Sequence, residues 1–317
     1  MGQQTIPNFF IAGAAKAGTT SLYHYLNQHP DIFMSPVKEP CYFAQEMRPE
    51  NYSPELRAPI QQAMDDLRTQ LDSGLEISAG EGIVARQEDY RKLFRGAREE
   101  RAVGEASVAY LWSATAAKEI AAFNPAAKIV LILRHPAERA FSNYVYYLAD
   151  GHISESFSEH IALCLKTDGL MGLHYPFLEV GLYGQQIERL LDYIRQEQVR
   201  VWLYEDTTAN PAKFFREVLA FLGVDTEFTP DRSLRHLQME VPKMAGATQI
   251  LRRLGVWQGL RDCAPPIMRP MLKKVMYRKR GSMTMSAEDR RFLVHYYRDD
   301  VKRLEHVIAR DLSHWLQ

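Results

Sequence analysis

The chain has 317 residues, with 39 basic and 39 acidic side chains that leave a formal net charge of zero. That balance argues against a general nucleic-acid or membrane-surface binder, whose affinity rests on excess positive charge, so any anion site must be local. The length suits one α/β domain with insertions, spanning residues 1–317.

In chain order, an apolar run at 9–12 breaks at Gly13, crosses a small-residue loop and restarts with helical spacing over 19–26. The pattern reads strand, tight loop, helix. Such a loop aims consecutive backbone N–H groups at one point and sets a helix N-terminus behind them, the arrangement that holds a phosphate. The spacing Gly13-x4-Gly18-Thr19-Thr20 nearly matches the nucleotide-binding GxxxxGK[ST] loop. Thr19 stands where an ATP or GTP enzyme has its phosphate-reaching lysine, and the loop's own lysine is Lys16. The expected ligand is therefore an anionic nucleotide without a Mg-bound γ-phosphate.

Pro30 ends the first helix. A short strand at 32–34 runs into Ser35-Pro36-Val37-Lys38-Glu39-Pro40, a loop that holds two charges between prolines. Residues 45–101 are polar, with weak helical periodicity at 60–71 and 90–94, and read as an insertion or lid without assignable chemistry. A strand is expected at 102–107 and a helix at 114–123. Residues 128–133 are a continuous aliphatic run, as a parallel sheet covered on both faces requires. That run ends in Arg134-His135-Pro136, and a helix follows from 137 through Ser142 and Tyr146.

Further on, 151–180 reads as irregular, 184–194 as an amphipathic helix, 199–204 as a buried strand and 211–222 as a helix ended by Gly223. Residues 231–270 read as a basic loop, and a last helix over 290–310 starts from Ser286-x2-Asp289. The alternation predicts an α/β fold, a P-loop-like three-layer arrangement with a central parallel sheet flanked by helices. Its phosphate-binding junctions, after 9–12 and after 128–133, would share the carboxyl end of that sheet.

Cys41, Cys164 and Cys263 are far apart and in no metal-ligand spacing, so they read as reduced thiols of a cytoplasmic protein. No uncharged run approaches the ~20 residues that span a bilayer, and the N-terminus carries no targeting pattern, so a soluble, unprocessed chain is expected. His24, His29, His135, His152, His160 and His174 stand in no ligand spacing and read as structural or surface residues. His152 and His174, in the irregular segment, double as acceptor-site candidates, and Tyr183 reads as core.

The chain resembles the sulfotransferases that depend on 3'-phosphoadenosine 5'-phosphosulfate (PAPS), in the bacterial branch similar to heparan sulfate sulfotransferase domains. Four stretches carry the likeness: the loop from Phe10 to Leu22, Lys38-Glu39-Pro40-Cys41-Tyr42-Phe43, Leu133-Arg134-His135-Pro136-x2-Arg139-x2-Ser142, and the closing Arg310-Asp311-Leu312-Ser313-His314-Trp315-Leu316. The resemblance implies one sulfotransferase domain with insertion or lid segments near 45–100, 150–180 and 232–280. It also implies PAPS as donor, adenosine 3',5'-bisphosphate (PAP) as product, and no metal.

By resemblance, Ala15, Lys16, Ala17, Gly18, Thr19, Thr20 and Ser21 surround the 5'-phosphosulfate, and Arg134 and Ser142 hold the 3'-phosphate. Arg278, Lys279, Arg280 and Gly281 match a loop that closes over the donor. Glu39 matches the catalytic base in the family's Lys-Glu-Pro motif; Lys16 would stabilise the leaving phosphate, and Lys38 would tune Glu39 or bind the donor. An arginine fork suits a phosphate, and a serine two turns along the following helix can add a hydroxyl on the same side. Many glycan-acting relatives have Gly-Glu-Lys-Ser-Pro where this chain reads Gly104-Glu105-Ala106-Ser107-Val108, so a lysine used there is absent. The expected acceptor is a hydroxyl, less often an amine, of a small molecule, lipid or carbohydrate, with no nucleic-acid partner. Two other readings stay open: a P-loop kinase or NTPase with a degenerate loop, and a non-catalytic nucleotide-binding protein.

Overall fold

A computed structural model describes residues 6–74, 80–167, 169–232, 240–242, 277–279 and 283–317, with the backbone alone at 240–242 and 277–279. The centre is a five-stranded, all-parallel sheet of β1 (Phe9–Gly13), β2 (Ile32–Met34), β5 (Ala102–Ala106), β6 (Lys128–Leu133) and β7 (Val199–Leu203), in the spatial order β2-β5-β1-β6-β7. Every residue of β1 is buried, as is every residue of β6 after Lys128, because helices cover both faces. Continuous apolar strands follow from that burial. Gly104 fits the same constraint: a Cβ there would sit 2.4 Å from the ring of Phe9 on the neighbouring strand.

The main crossovers place α1 (Thr19–Leu26) after β1, α4 (Ala109–Trp112) and α5 (Ala116–Phe123) after β5, and α6 (Pro136–Ala149) after β6. After β7 come α9 (Tyr204–Ala209) and α10 (Pro211–Leu222), the latter closed by Gly223 in the left-handed conformation (φ 82°). The last helix, α11 (Ala287–Ile308), packs along α8 (Tyr183–Leu191) and lends it a cap: Asp300 accepts from Gly184 N–H at 2.8 Å and Gln185 N–H at 3.0 Å. Among the described residues, no helix is long and apolar enough to cross a membrane.

Several elements depart from the sequence expectations. The loop expected at Lys38 begins with a two-residue strand, β3 (Val37–Lys38), paired in parallel with β4 (Gly80–Glu81). Residues 45–101 contain α2 (Pro54–Asp72) and α3 (Gln87–Lys92), longer than or displaced from the weak periodicities at 60–71 and 90–94. Only Leu71 of α2 is buried, so little apolar spacing marks that helix. The segment read as irregular contains α7 (Phe157–Cys164), started by a Ser156/Glu159 capping box. The strand expected to reach Tyr204 ends at Leu203, whose N–H donates to the Asp206 carboxylate at 2.9 Å and so turns the chain into α9. Of the expected basic loop at 231–270, all but 231–232 and 240–242 lies outside the described residues. Residues 240–242 form β8 (Glu240–Pro242), antiparallel to β9 (Tyr277–Lys279).

Candidate active site

The β1–α1 loop is fastened before it reaches the helix. Ala14 N–H donates to Ile132 O of β6 at 2.6 Å, and Ala17 N–H to Ala14 O at 3.2 Å. Gly18, at φ 99°, is the N-cap of α1, and the first intrahelical bond runs from Leu22 N–H to Gly18 O at 3.2 Å. The N–H groups of Thr19, Thr20 and Ser21 precede that bond and belong to the orphan donors of a helix start. They open on a cleft of about 1310 Å³ that Ala15, Lys16, Gly18, Thr19, Thr20 and Ser21 line. Lys16 has left-handed backbone (φ 65°), and its ammonium sits 4.0 Å from the centroid of the Tyr146 ring.

Lys38 and Glu39 line the same cleft, and three contacts fix Glu39. Its N–H donates to Ala106 O at 2.8 Å, its Oε2 accepts from Val108 N–H at 2.8 Å, and its Oε1 accepts from Lys38 Nζ at 2.6 Å. Those contacts hold a strained backbone, since Glu39 (φ 59°) and Cys41 (φ 49°) are both left-handed. Burial pushes the Glu39 carboxyl above the usual carboxylate range, against the pull of Lys38 and the Val108 N–H. For Lys38, burial opposes the charge, but Glu39 and Glu81 prevail and hold its pKa above the usual value; Glu81 Oε1 lies 3.4 Å from its Nζ.

Behind Glu39 lies a second, fully buried carboxyl. Glu105 accepts from Tyr110 OH at 2.6 Å, Ser107 Oγ at 2.7 Å and Tyr90 OH at 3.1 Å. Burial lifts its pKa to about 7, with the hydroxyl donors pulling the other way. Ser107 Oγ in turn accepts from Cys41 N–H at 3.0 Å, so Glu105 orients the serine that fixes the loop two residues past Glu39.

On the far side, Arg134 follows β6, and Ser142 lies two turns further on in α6; both line the cleft. Arg134 Nη1 donates to Lys16 O at 3.3 Å, and its guanidinium lies 4.9 Å from the Tyr204 ring centroid. The closing stretch buttresses the turn that carries Tyr204. Arg310 grips Asp206 through two bonds of 2.5 and 2.6 Å, and Trp315 Nε1 donates to Glu205 at 3.1 Å. Burial drives His135 down to about 4, and its neutral Nδ1 accepts from Ala137 N–H at 3.2 Å, capping α6.

The cleft thus gathers Ala15, Lys16, Gly18, Thr19, Thr20, Ser21, Lys38, Glu39, Arg134 and Ser142 from three separate stretches. Ala17, expected beside the donor, does not line the cleft: it is fully buried and its N–H donates to Ala14 O. Arg278 and Lys279 fall in β9, where only the backbone is described, and Arg280 and Gly281 lie outside the described residues. Tyr183 is fully buried, as a core residue should be. His152 is exposed and does not itself line the cleft, although its ring lies 6.2 Å from that of Tyr147, which does. His160 and His174, read as standing in no ligand spacing, both face Glu155, at 2.8 and 3.4 Å, and His174, the other acceptor-site candidate, does not line the cleft. Sequence reasoning missed Glu81, Tyr146 and Tyr204, whose contacts join distant segments. It also missed Glu105, although a carboxylate and a serine ending a buried strand are a legible signal.

A model described as the sulfotransferase family matches residues 7–229. The chain belongs to the sulfotransferase family. Among solved structures, a sulfotransferase from Alicyclobacillus acidocaldarius is 33% identical, covers 99% of this chain and 100% of its own, and superposes with a TM-score of 0.71. Carbohydrate sulfotransferase 15 of Mus musculus is 26% identical over 259 residues, which are 69% of this chain and 44% of that protein. Bifunctional heparan sulfate N-deacetylase/N-sulfotransferase 1 of Homo sapiens is 27% identical over 319 residues, 98% of this chain and 31% of its length. This sulfotransferase chain therefore spans less than half the length of the curated relatives it matches.

The donor of the family is PAPS, and the chemistry of the cleft fits it. A helix start with three orphan N–H groups and a lysine beside them suits the 5' anion, while an arginine and a serine hydroxyl on the next crossover suit a second phosphate.

Proposed function

We propose that this sulfotransferase moves a sulfuryl group from PAPS to a hydroxyl of a small-molecule, lipid or carbohydrate acceptor and releases PAP. One observation carries the reading: a glutamate fixed by three contacts, Glu39, two of them to its carboxylate, shares a cleft with a helix start and its lysine. Thr19, Thr20 and Ser21 bind the 5' end through backbone N–H groups, and Arg134 and Ser142 bind the 3'-phosphate. Lys16 supplies positive charge where the leaving phosphate oxygen becomes negative. Glu39 takes the acceptor proton, and Lys38 keeps that carboxylate ionised and oriented. Positioning and charge do the rest, as in phosphoryl transfer. The kinase reading lacks a lysine at Thr19 and has Arg134 at the end of β6.

Glu39→Gln tests the base. Transfer should fall about 10²- to 10⁴-fold, the usual worth of a general base, while PAP affinity stays within about twofold of the parent. Native turnover in that variant would remove Glu39 from the role.

A further inference from the structure

A further wall of the cleft is built from two segments that carry no motif. Met171 N–H donates to Asn51 O at 2.8 Å and Ser53 N–H to Met171 O at 3.1 Å, which stitches 51–53 to the segment before α8. With α2, these segments face the cleft with Met47, Tyr52, Ile60, Met64, Met171 and Phe177. Tyr52, Cys41 and Glu39 line one cleft, so this wall shares it with the proposed base. Methionines and aromatic rings make an adaptable apolar surface.

The charges point the same way. Among the described residues, five cations line the cleft: Lys16, Lys38, Arg134, Arg139 and Arg290. Lys16 and Arg134 belong to the donor side. Lys38 is paired with Glu39 and Glu81, and Arg290 with Glu138 at 2.7 Å. Arg139 is fully buried and donates to Phe177 O. Glu39, Glu81 and Glu138 line the cleft as the partners in those pairs, so the described groups on this side meet the carboxylates and sulfates of an acidic glycan with ion pairs rather than with an excess of positive charge.

We infer that the acceptor is an uncharged alcohol or phenol on an apolar body, which lies against the Met64 and Phe177 wall with its hydroxyl at Glu39. The inference rests on the sulfotransferase reading above. The acceptor oxygen bonds to sulfur as the bond from sulfur to the bridging oxygen of the 5'-phosphate breaks; Glu39 takes the hydroxyl proton, and PAP leaves with the bridging oxygen.

The test offers the full chain radiolabelled PAPS with 2-naphthol, 1-decanol, desulfated heparan and desulfated chondroitin, alongside a calorimetric titration with PAP. Label should appear on 2-naphthol or 1-decanol, with kcat/KM well above that for either glycan. Met64→Lys should raise KM for the reactive apolar acceptor by about 10- to 200-fold, the worth of a lost apolar contact, with PAP affinity unchanged. Label on a glycan alone, or on no probe while PAP still binds, overturns the acceptor class and leaves the sulfotransferase reading standing. Absence of PAP binding overturns both.

Discussion

Lys16, Glu39 and Cys41 are three of the four non-glycine residues with left-handed backbone among the described residues, and all three line the cleft. Each such conformation costs on the order of 1–3 kcal/mol and persists only where its surroundings enforce it. For Glu39 and Cys41 the enforcement is visible in their bonds with Ala106, Ser107 and Val108. Arg134→Ala should weaken PAP about 10- to 100-fold, as the loss of a charge-assisted bond does, and leave adenosine 5'-phosphate nearly unaffected. Equal losses for both nucleotides, read by calorimetry, would contradict a role at the 3'-phosphate. Glu105 gives a pH signature. Its folded pKa, about 7, exceeds the ordinary carboxyl value, so its contribution to stability is complete below that ordinary value and is lost as pH rises through about 7. The parent should therefore lose more stability between pH 5 and 8 than Glu105→Gln does, by urea unfolding; parallel pH curves would count against it.

Elements hold the site in place through a few cross-chain bonds. Asp300 on α11 caps α8 as an N-cap side chain would, from 115 or more residues away. Asp300→Ala should cost about 1–2 kcal/mol of unfolding free energy, the worth of a good cap, without changing m. A change under a few tenths of a kcal/mol would show that α8 needs no such cap. This cap also marks where sequence reading stops. The loop from Gly13 to Ser21 is a local strand-loop-helix motif, and β6 is a plain aliphatic run, so both could be read in order. The pairing of Lys38 with Glu81 joins residues 43 apart, and the bridge between Tyr52 and Met171 joins segments still more distant. No local periodicity encodes such contacts. The helix α7 was different: its Ser156/Glu159 box stood in the sequence, but eight residues gave too few turns to outweigh the polar segment around it.

On the scale of the molecule, a chain with no net charge brings the start of α1, Lys16 and Arg134 into one cleft at the carboxyl end of a parallel sheet, where the crossovers after β1 and β6 meet. The proposed donor half of the cleft was legible because it is built from local motifs. The proposed acceptor half was not, because α2 and the segment before α8 meet only in the folded state. The central claim is the donor, and calorimetric titration with PAP and, separately, with ATP and Mg²⁺ in one buffer tests it most directly. The account predicts saturable binding of PAP and none of Mg-ATP. Binding of Mg-ATP alone would contradict it and restore the kinase or NTPase reading.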